Sequence, residues 1–398
     1  MKKFRIILPV ICIIFLATIT AAHAADYLLD IGRAATIDVL LENAIRRGLI
    51  SGGVVTVGNH TGQLYSTSQG RLYPVTGSPP LTDRTIFDTA SLTKVLATAP
   101  AIMKLLEQGK ITLLDPLTRW FPEFEGSGRE EITILNLLTH TSGLDDVEVA
   151  QSDPLKSLID KAIRQNNGSL PGNRFRYADI NFILLGELVT RVTKIPLDRF
   201  CTENIYAPIG MAETGFLPQT DFNVIAPTAG QNRTLTAGVV QDSNARRLGG
   251  VAGHAGLFSN ASDLNRFVTM ILNHGTYAGT RLFTERVITQ MTAPYFYSNG
   301  KIIRGLGWDI NSPFSSPRGN YFSDMSFGHT GYSGSSIWID PEQDLYVILL
   351  TVRLDYTNIR QFNQLRRDIS SLAVSIFSTP RLAAELGNGA KSPETLIP

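Results

Sequence analysis

Cysteine is nearly absent from this chain. Of its 398 residues only Cys12 and Cys201 are cysteines, and Cys12 lies in an N-terminal segment that we expect to be removed. A single remaining thiol excludes an internal disulfide and a zinc site built on paired cysteines. In the apolar context DRFCTENIY, Cys201 is expected to be a small buried residue rather than a nucleophile. Stability must therefore come from the hydrophobic core.

The chain also lacks an excess of charge of either sign. Its 36 Lys and Arg residues face 35 Asp and Glu residues, a formal net charge of +1, and this balance gives no indication of a nucleic-acid partner. The H-E-x-x-H pattern of zinc hydrolases is missing, as are internal repeats and low-complexity segments. With 43% hydrophobic and 18% charged residues, the composition is that of a globular protein with a sizeable core, in one large domain or two.

The N-terminal residues differ in character from the rest of the chain. Lys2, Lys3 and Arg5 precede an apolar run at 6–19, and Ala22-His23-Ala24 offers an A-x-A cleavage site. These features predict a signal peptide at 1–24. An uncleaved membrane anchor is the less favoured alternative, because the run is shorter than the roughly 20 residues that a spanning helix needs. We therefore expect a secreted protein, periplasmic or extracellular, without a stable membrane span after cleavage.

The spacing of apolar residues predicts a mixed fold of the α/β (α+β) class. The predicted elements are helices at 35–47, 181–192, 197–205 and 359–376, a hairpin of strands at 53–59 and 63–70, and strands within 253–259, 305–310, 326–340 and 345–352. They indicate an antiparallel sheet built from both ends of the chain and flanked by helices. The predicted organisation is a sheet lobe at 25–109 and 243–378, a mostly helical lobe at 110–242 and a polar tail at 379–398.

A serine and a lysine lie three residues apart near the start of a predicted helix at 88–108. Ser91-Leu92-Thr93-Lys94 is an S-x-x-K motif, and helical spacing would place both side chains on the first turn. A serine becomes a nucleophile only when a neighbouring group takes its proton, and burial and nearby charge can tune the pKa of a lysine. The motif alone is weak evidence, since a helix cap followed by an exposed lysine has the same pattern.

Two further motifs follow later in the chain. Tyr177-Ala178-Asp179 lies between a Pro-Gly loop and a helical run, so the Tyr177 phenol could take or relay the serine proton; a tyrosine packed at a lobe boundary is the alternative. His329-Thr330-Gly331 lies on a predicted strand. There glycine lets a ligand approach, and the histidine and threonine can donate hydrogen bonds to a carboxylate or carbonyl. Either motif is unspecific by itself.

Together, the S-x-x-K, Y-x-D and H-T-G motifs, on helix, loop and strand, resemble the serine β-lactamase and penicillin-binding-protein superfamily. The resemblance is nearer the class C-like branch of β-lactamases, D-alanyl-D-alanine carboxypeptidases and esterases. It covers nearly the whole mature chain, and LLEQGKITLLDPLTRWFPEF, ITILNLLTHTSGL and GGVAGHAGLFSNASDL are similar to phrases of that branch. The resemblance implies a single β-lactamase-like domain that needs no metal or organic cofactor.

The resemblance also implies roles for individual residues. Ser91 would be the acylated nucleophile, Lys94 its partner in proton transfer and Tyr177 the general base or proton relay. The backbone N–H groups of Ser91 and Tyr332 would form the oxyanion hole. The residues predicted to bind substrate are Asp179, His329, Thr330, Gly331 and Tyr332.

Two positions depart from the family pattern. Asp179 stands where the family usually has asparagine, and a carboxylate cannot donate a hydrogen bond to a substrate carbonyl. If Asp179 faces Lys94, the pair would hold that lysine protonated, and Tyr177 would then carry the base role. His329 stands where many members have lysine, which weakens recognition of a β-lactam carboxylate because histidine is mostly neutral at pH 7.

These observations favour an exported serine hydrolase that acts through an acyl-enzyme on an amide or ester. A peptidoglycan peptide leads as substrate, in the manner of a D-alanyl-D-alanine carboxypeptidase. A β-lactamase, a carboxylesterase and a muramyl-peptide amidase are alternatives with the same first step, and a penicillin-binding sensor or scaffold without turnover is an alternative of another class. The expected partner is a small-molecule or peptide substrate derived from the cell wall; the oligomeric state stays open. His140 and His254 are interpreted as buried, hydrogen-bonded residues, and Trp308 as a core or pocket-rim residue.

Overall fold

The computed structural model describes residues 32–165, 169–219, 224–229, 234–298 and 301–378. The predicted signal peptide at 1–24 and the predicted tail at 379–398 lie outside the described residues. Within the described ranges, no helix combines the length and the apolar character that crossing a membrane requires.

Strands come from both ends of the chain. They are β1 (Ile50–Asn59), β2 (Gly62–Gly70), β3 (Phe87–Asp88), β4 (Gly215–Phe216), β5 (Thr228–Ala229), β6 (Leu235–Thr236), β7 (Leu257–Ser259), β8 (Thr276–Tyr277), β9 (Thr280–Arg281), β10 (Phe296–Ser298), β11 (Lys301–Arg304), β12 (Phe327–Thr330), β13 (Ser336–Asp340) and β14 (Leu345–Arg353).

Five of these strands form the main sheet, in the order β12-β13-β14-β1-β2 with every pair antiparallel. The register places Val55 opposite Leu349, and His329 opposite Ile337. This confirms the predicted antiparallel sheet built from both chain ends. A second, three-stranded sheet has the order β3-β7-β4 and carries the chain into the S-x-x-K segment.

Helices cover the sheet and fill the middle of the chain. They are α1 (32–46), α2 (Ala99–Glu107), α3 (Ile134–Leu138), α4 (Pro154–Ile163), α5 (Asp179–Thr193), α6 (Leu197–Cys201), α7 (Ser243–Arg247), α8 (Ala261–Leu272), α9 (Glu285–Thr292) and α10 (Ile359–Phe377). The described residues from 110 to 210 contain helices and turns but no strand. The lobe boundaries at 109/110 and 242/243 stay a prediction.

Side chains on the main sheet alternate between two cores. On β1, Val54 packs in the larger core with residues of α2 and α8, whereas Val55 and Val57 pack in a smaller core with residues of α1 and α10. This alternation follows from the two-residue period of a strand. Cys201 is fully buried in the larger core, as expected for a thiol in an apolar setting.

Two local predictions differ from the structure. The predicted helix at 88–108 begins as a 3₁₀ turn at Ala90–Leu92, continues through a π-helical turn at Lys94–Thr98 and only then becomes the regular α2. The predicted strand at 305–310 is a loop in which Asp309 alone bridges to β12. Its apolar residues Trp308 and Ile310 are buried in the larger core, and burial rather than strand pairing explains its hydrophobic pattern.

Candidate active site

The turn that carries Ser91 is held in an uncommon backbone conformation. Ala90, the residue before it, has φ of +48°, a left-handed value that is costly for a residue with a Cβ. The buried Asp88 carboxylate accepts hydrogen bonds from the N–H groups of Ala90 (2.8 Å) and Gln241 (2.7 Å). Burial raises the pKa of Asp88 to about 6 although both bonds oppose the shift. These bonds fix the Ser91 turn against the segment before α7.

The end of β12 packs directly against the same turn. Ser333 Oγ donates to the carbonyl of Asp88 (2.6 Å) and Ser335 Oγ donates to that of Thr89 (2.9 Å). A Cβ on Gly331 would lie 2.4 Å from the Thr89 carbonyl oxygen, so only glycine permits this approach. The close approach brings the backbone of Tyr332 towards Ser91, which is what the predicted oxyanion hole of their two N–H groups requires.

Lys94 is fully buried, and its ammonium contacts three oxygen atoms. Nζ lies 3.0 Å from Ser91 Oγ, 3.1 Å from the carbonyl oxygen of His254 and 2.7 Å from Asp179 Oδ1. It donates hydrogen bonds to the first two and forms an ion pair with the third. The arrangement is that of a charged lysine held against the serine.

The groups around Lys94 determine its protonation state. Burial by itself lowers the pKa of Lys94, but the Asp179 carboxylate and Tyr177 raise it above its usual value. Burial raises the pKa of Asp179, yet the ammonium outweighs this and holds it below its usual value. Burial also raises the pKa of the Tyr177 phenol, and Lys94 offsets only part of the shift. At neutral pH the resting site therefore holds an ammonium, a carboxylate and a neutral phenol.

Tyr177 is positioned by His140. The two rings stack with centroids 4.5 Å apart, and His140 Nδ1 accepts from the Ala178 N–H (3.3 Å) and from Asn181 Nδ2 (3.2 Å). Burial and the nearby positive charge of Arg304 lower the pKa of His140 well below its usual value, so its ring is neutral. His140 is thus a hydrogen-bonded structural residue whose contacts define where the phenol lies.

Ser91, Tyr177 and Tyr332 separate two pockets. The first, here the aspartate pocket, has a volume of about 540 Å³ and is also lined by Asp179, Asp242 and His254. The second, here the arginine pocket, has a volume of about 310 Å³ and is also lined by Arg304, His329, Thr330, Gly331, Arg353 and Arg366. Ser91, the predicted nucleophile, therefore lies where a substrate could extend into both.

A pair of a carboxylate and an imidazole also lies in the aspartate pocket. Asp242 Oδ1 is 2.9 Å from His254 Nε2. Burial raises the pKa of Asp242, but the hydrogen bond and charge of His254 lower it to about 2. One potential ligand atom each from Asp179, Asp242 and His254 lies within 4.8 Å of the others. A metal ion there would compete with the Lys94 ammonium for Asp179, so we assign none.

The hydrogen-bonding role of His329 differs from the prediction. Burial, Arg304 and Lys94 lower the pKa of His329 well below its usual value, which makes the ring neutral. Nδ1 lies 2.9 Å from the carbonyl oxygen of Thr330 and must donate to it, because a carbonyl only accepts. Nε2 is then a hydrogen-bond acceptor, whereas the sequence suggested that His329 donates to a substrate carboxylate.

The structure thus joins the predicted residues in one cleft. Ser91, Lys94, Tyr177 and Asp179 form a single contact network, and His329, Thr330, Gly331 and Tyr332 line the arginine pocket beside Ser91. Sequence reasoning missed the Asp242 partner of His254 and all three arginines. Arg353 could have been identified from the sequence, because it is a charged residue that follows the apolar run LYVILLTV at the end of a buried strand. Trp308 is a core residue that stacks edge-on against Phe327.

The β-lactamase family model matches residues 41–368 of the chain. A relative from Escherichia coli (strain K12) that bears the provisional name of a D-alanyl-D-alanine carboxypeptidase is 31% identical over 307 residues, which cover 68% of this chain and 69% of the relative. The name of this relative describes the relative and not the present chain.

Solved structures share the fold at low sequence identity. A class C β-lactamase from Rhodobacter sphaeroides superposes with a TM-score of 0.70 at 18% identity and covers 86% of this chain and 99% of its own. EstCE1, a hydrolase with promiscuous acyltransferase activity, has a TM-score of 0.71 at 22% identity, with coverage of 86% and 99%. At these identities the similarity shows the fold and no more.

Proposed function

Because the chain belongs to the β-lactamase family, we propose that it is an exported serine hydrolase that works through an acyl-enzyme on Ser91. Its proposed substrate is a peptidoglycan peptide, cut in the manner of a D-alanyl-D-alanine carboxypeptidase. The observation that carries the proposal is the buried Lys94 ammonium, 3.0 Å from Ser91 Oγ at the junction of two pockets. The name of the E. coli relative supports the choice of substrate.

In the first half-reaction Ser91 Oγ attacks the substrate carbonyl carbon. The serine proton passes to the Tyr177 oxygen while the phenol proton passes to the leaving amine or alkoxide, so Tyr177 relays a proton and ends neutral. The N–H groups of Ser91 and Tyr332 bind the oxyanion. Collapse of the tetrahedral intermediate breaks the scissile bond, which leaves an ester on Ser91.

In the second half-reaction water replaces the leaving group. Water attacks the Ser91 ester, passes one proton through Tyr177 to Ser91 Oγ, and releases the carboxylic acid. Lys94 keeps its proton throughout, because the nearby Asp179 carboxylate favours the charged form. Its role is electrostatic: it stabilises negative charge as it develops on Ser91 Oγ and on the phenol oxygen.

Release of D-alanine tests the proposed substrate. We would incubate the mature protein with a peptide that ends in D-alanyl-D-alanine and measure free D-alanine, with Ser91→Ala as the inactive reference. We expect steady release that Ser91→Ala abolishes. Turnover of p-nitrophenyl esters without release of D-alanine would instead identify an esterase, and a penicillin adduct without turnover of either would identify a penicillin-binding sensor.

Two further substrates separate the remaining alternatives. Hydrolysis of a β-lactam faster than of the peptide would identify a β-lactamase. Cleavage between the lactyl group of a muramyl peptide and its first amino acid would identify an amidase of the sugar–peptide link. Either result would keep Ser91 as the nucleophile and replace the proposed peptide specificity.

A further inference from the structure

Three buried arginines line one small pocket, and each has a guanidinium nitrogen without a hydrogen-bond partner. Arg304, Arg353 and Arg366 are only 1%, 1% and 3% exposed, and all three line the arginine pocket. Arg304 Nε, Arg353 Nη2 and Arg366 Nε have no hydrogen-bond partner. A buried donor without an acceptor is costly, and three arginines with such a donor line a single cavity.

The three groups differ in how far their charge is compensated. Arg304 has a distant acidic neighbour, Asp309, with Nη1 and Oδ1 3.8 Å apart. Within the part of the chain that the structure describes, neither Arg353 nor Arg366 has a carboxylate in salt-bridge contact. Their hydrogen-bond partners are neutral, and Asp355 attracts Arg353 only at longer range, so neither guanidinium has a contacting group of opposite charge among the described residues.

Arg353 and Arg366 are held by carbonyl groups, by the Asn363 amide and by aromatic rings, of which Phe362 contacts both. Arg353 donates to the carbonyl oxygens of Asp355 (2.9 Å) and Tyr332 (3.1 Å). Arg366 donates to that of Ser335 (2.8 Å) and also to Gly331. Phe362 lies 4.4 Å from one guanidinium carbon and 4.7 Å from the other. These contacts orient the two guanidinium groups without neutralising them.

The proximity of the Arg353 and Arg366 guanidinium groups makes their burial more unfavourable. Burial and the like charge of Arg353 lower the pKa of Arg366 to about 9. Both groups remain charged at neutral pH, and two uncompensated buried charges are strongly unfavourable unless a counter-charge binds between them. A single carboxylate would compensate only one of the two.

We propose that the arginine pocket binds a part of the substrate that carries two anionic groups, such as the two carboxylates of an acidic amino acid. Arg353 and Arg366 line the pocket on the α10 side, and Arg304 lines it on the side of Tyr177. His329 Nε2, an acceptor, lies among them and suits an N–H of the same group. The proposal rests on the proposed hydrolase function, since it names the substrate class of that site.

Calorimetry on the Ser91→Ala variant tests the proposal without turnover. The probes are N-acetyl-D-alanyl-D-glutamate and N-acetyl-D-alanyl-D-glutamine, which have nearly the same size and differ by one carboxylate. We expect the glutamate peptide to bind at least about tenfold more tightly, the scale of one charge-assisted hydrogen bond. Equal affinities, or no measurable binding of either peptide, would overturn the proposal.

Substitutions then locate the preference. In the Ser91→Ala background, Arg353→Gln and Arg304→Gln should each reduce the glutamate advantage severalfold, while Arg304→Lys, which keeps the charge, should retain part of it. Arg119→Gln, which removes an exposed arginine of another surface, should leave it intact. An advantage that survives both glutamine substitutions would contradict the assignment. A clear preference together with no release of D-alanine by the wild type would keep this inference and reject the proposed peptidase activity.

Discussion

The two pockets beside Ser91 differ in whether a nearby buried cation has an acidic partner. Beside the aspartate pocket, the Lys94 ammonium donates hydrogen bonds to Ser91 and His254, and Asp179 neutralises its charge at 2.7 Å. In the arginine pocket, Arg353 and Arg366 are equally buried but keep unpaired nitrogens and have no carboxylate in contact among the described residues.

This difference distinguishes a cation that supports the reaction from cations that bind the substrate. A buried cation that the protein itself neutralises can act only on neighbours already present, which here are Ser91 and Tyr177. A buried cation that the protein leaves uncompensated keeps its capacity to bind an anion from outside. We therefore infer that the aspartate pocket side supports the chemistry and that the arginine pocket selects the substrate.

Removal of the Tyr177 phenol oxygen should have the largest effect on activity, and it tests whether the aspartate pocket side supports the chemistry. Tyr177→Phe keeps the ring that stacks on His140 but removes the group proposed to relay the proton. We expect kcat/KM for a Ser91-dependent ester or peptide to fall at least about 100-fold. Tyr297→Phe, at an exposed tyrosine, serves as the matched control. Activity of Tyr177→Phe close to wild type would reject the relay role.

Asp179→Asn removes the charge that neutralises Lys94. Without the carboxylate, burial lowers the pKa of Lys94, so the ammonium loses its proton at a lower pH. Because the charged form is the active one in this account, the alkaline limb of the kcat/KM profile should move down by about 1–3 pH units. Asp160→Asn, which breaks the exposed pair with Lys156, should leave the profile unchanged. An unshifted profile in Asp179→Asn would show that the pair does not control the site.

The Asp242–His254 pair should appear as pH-dependent stability. The folded-state pKa of Asp242, about 2, lies below its ordinary value, so its contribution is present above about pH 4 and is lost as the pH falls towards 2. We expect Asp242→Asn to lower the free energy of unfolding by about 1 kcal/mol at pH 7, since the partly exposed carboxylate is screened by solvent. Urea unfolding at pH 7 and pH 3 measures the difference. An equal loss at both pH values would point to packing instead of charge.

Arg353→Gln should have the smallest effect on stability. The substitution removes two hydrogen bonds to carbonyl groups and contacts with aromatic rings, but it also removes a buried charge without a carboxylate partner, and these contributions oppose each other. We expect the free energy of unfolding to change by less than about 1 kcal/mol in urea unfolding. A loss of several kcal/mol would mean that the protein does compensate Arg353, and the contrast between the pockets would fail.

Local patterns predicted the scaffold of the site well. Strand patterns predicted the hairpin of β1 and β2, and the S-x-x-K spacing placed Lys94 beside Ser91. These features depend on neighbours in sequence, which a pattern can report. The same holds for Cys201, whose apolar context indicated burial.

Contacts between distant segments could not be predicted in this way. Arg304, Arg353 and Arg366 come from β11, β14 and α10, and only the folded chain shows that they share a pocket. The acceptor polarity of His329 depends on a bond to the Thr330 carbonyl and on burial beside Arg304. Sequence reasoning treated it as a donor because neither its bond nor its burial leaves a local pattern.

Intact-protein mass spectrometry tests the nucleophile most directly. The mature protein, Ser91→Ala and the control Ser375→Ala, at an exposed position of α10, would each be incubated with a fluorescent penicillin and, separately, with a p-nitrophenyl ester while release of nitrophenol is followed. The account predicts a covalent adduct or ester turnover in the wild type and Ser375→Ala, and neither in Ser91→Ala. The same adduct or turnover in Ser91→Ala, or no signal in any of the three proteins, would contradict it.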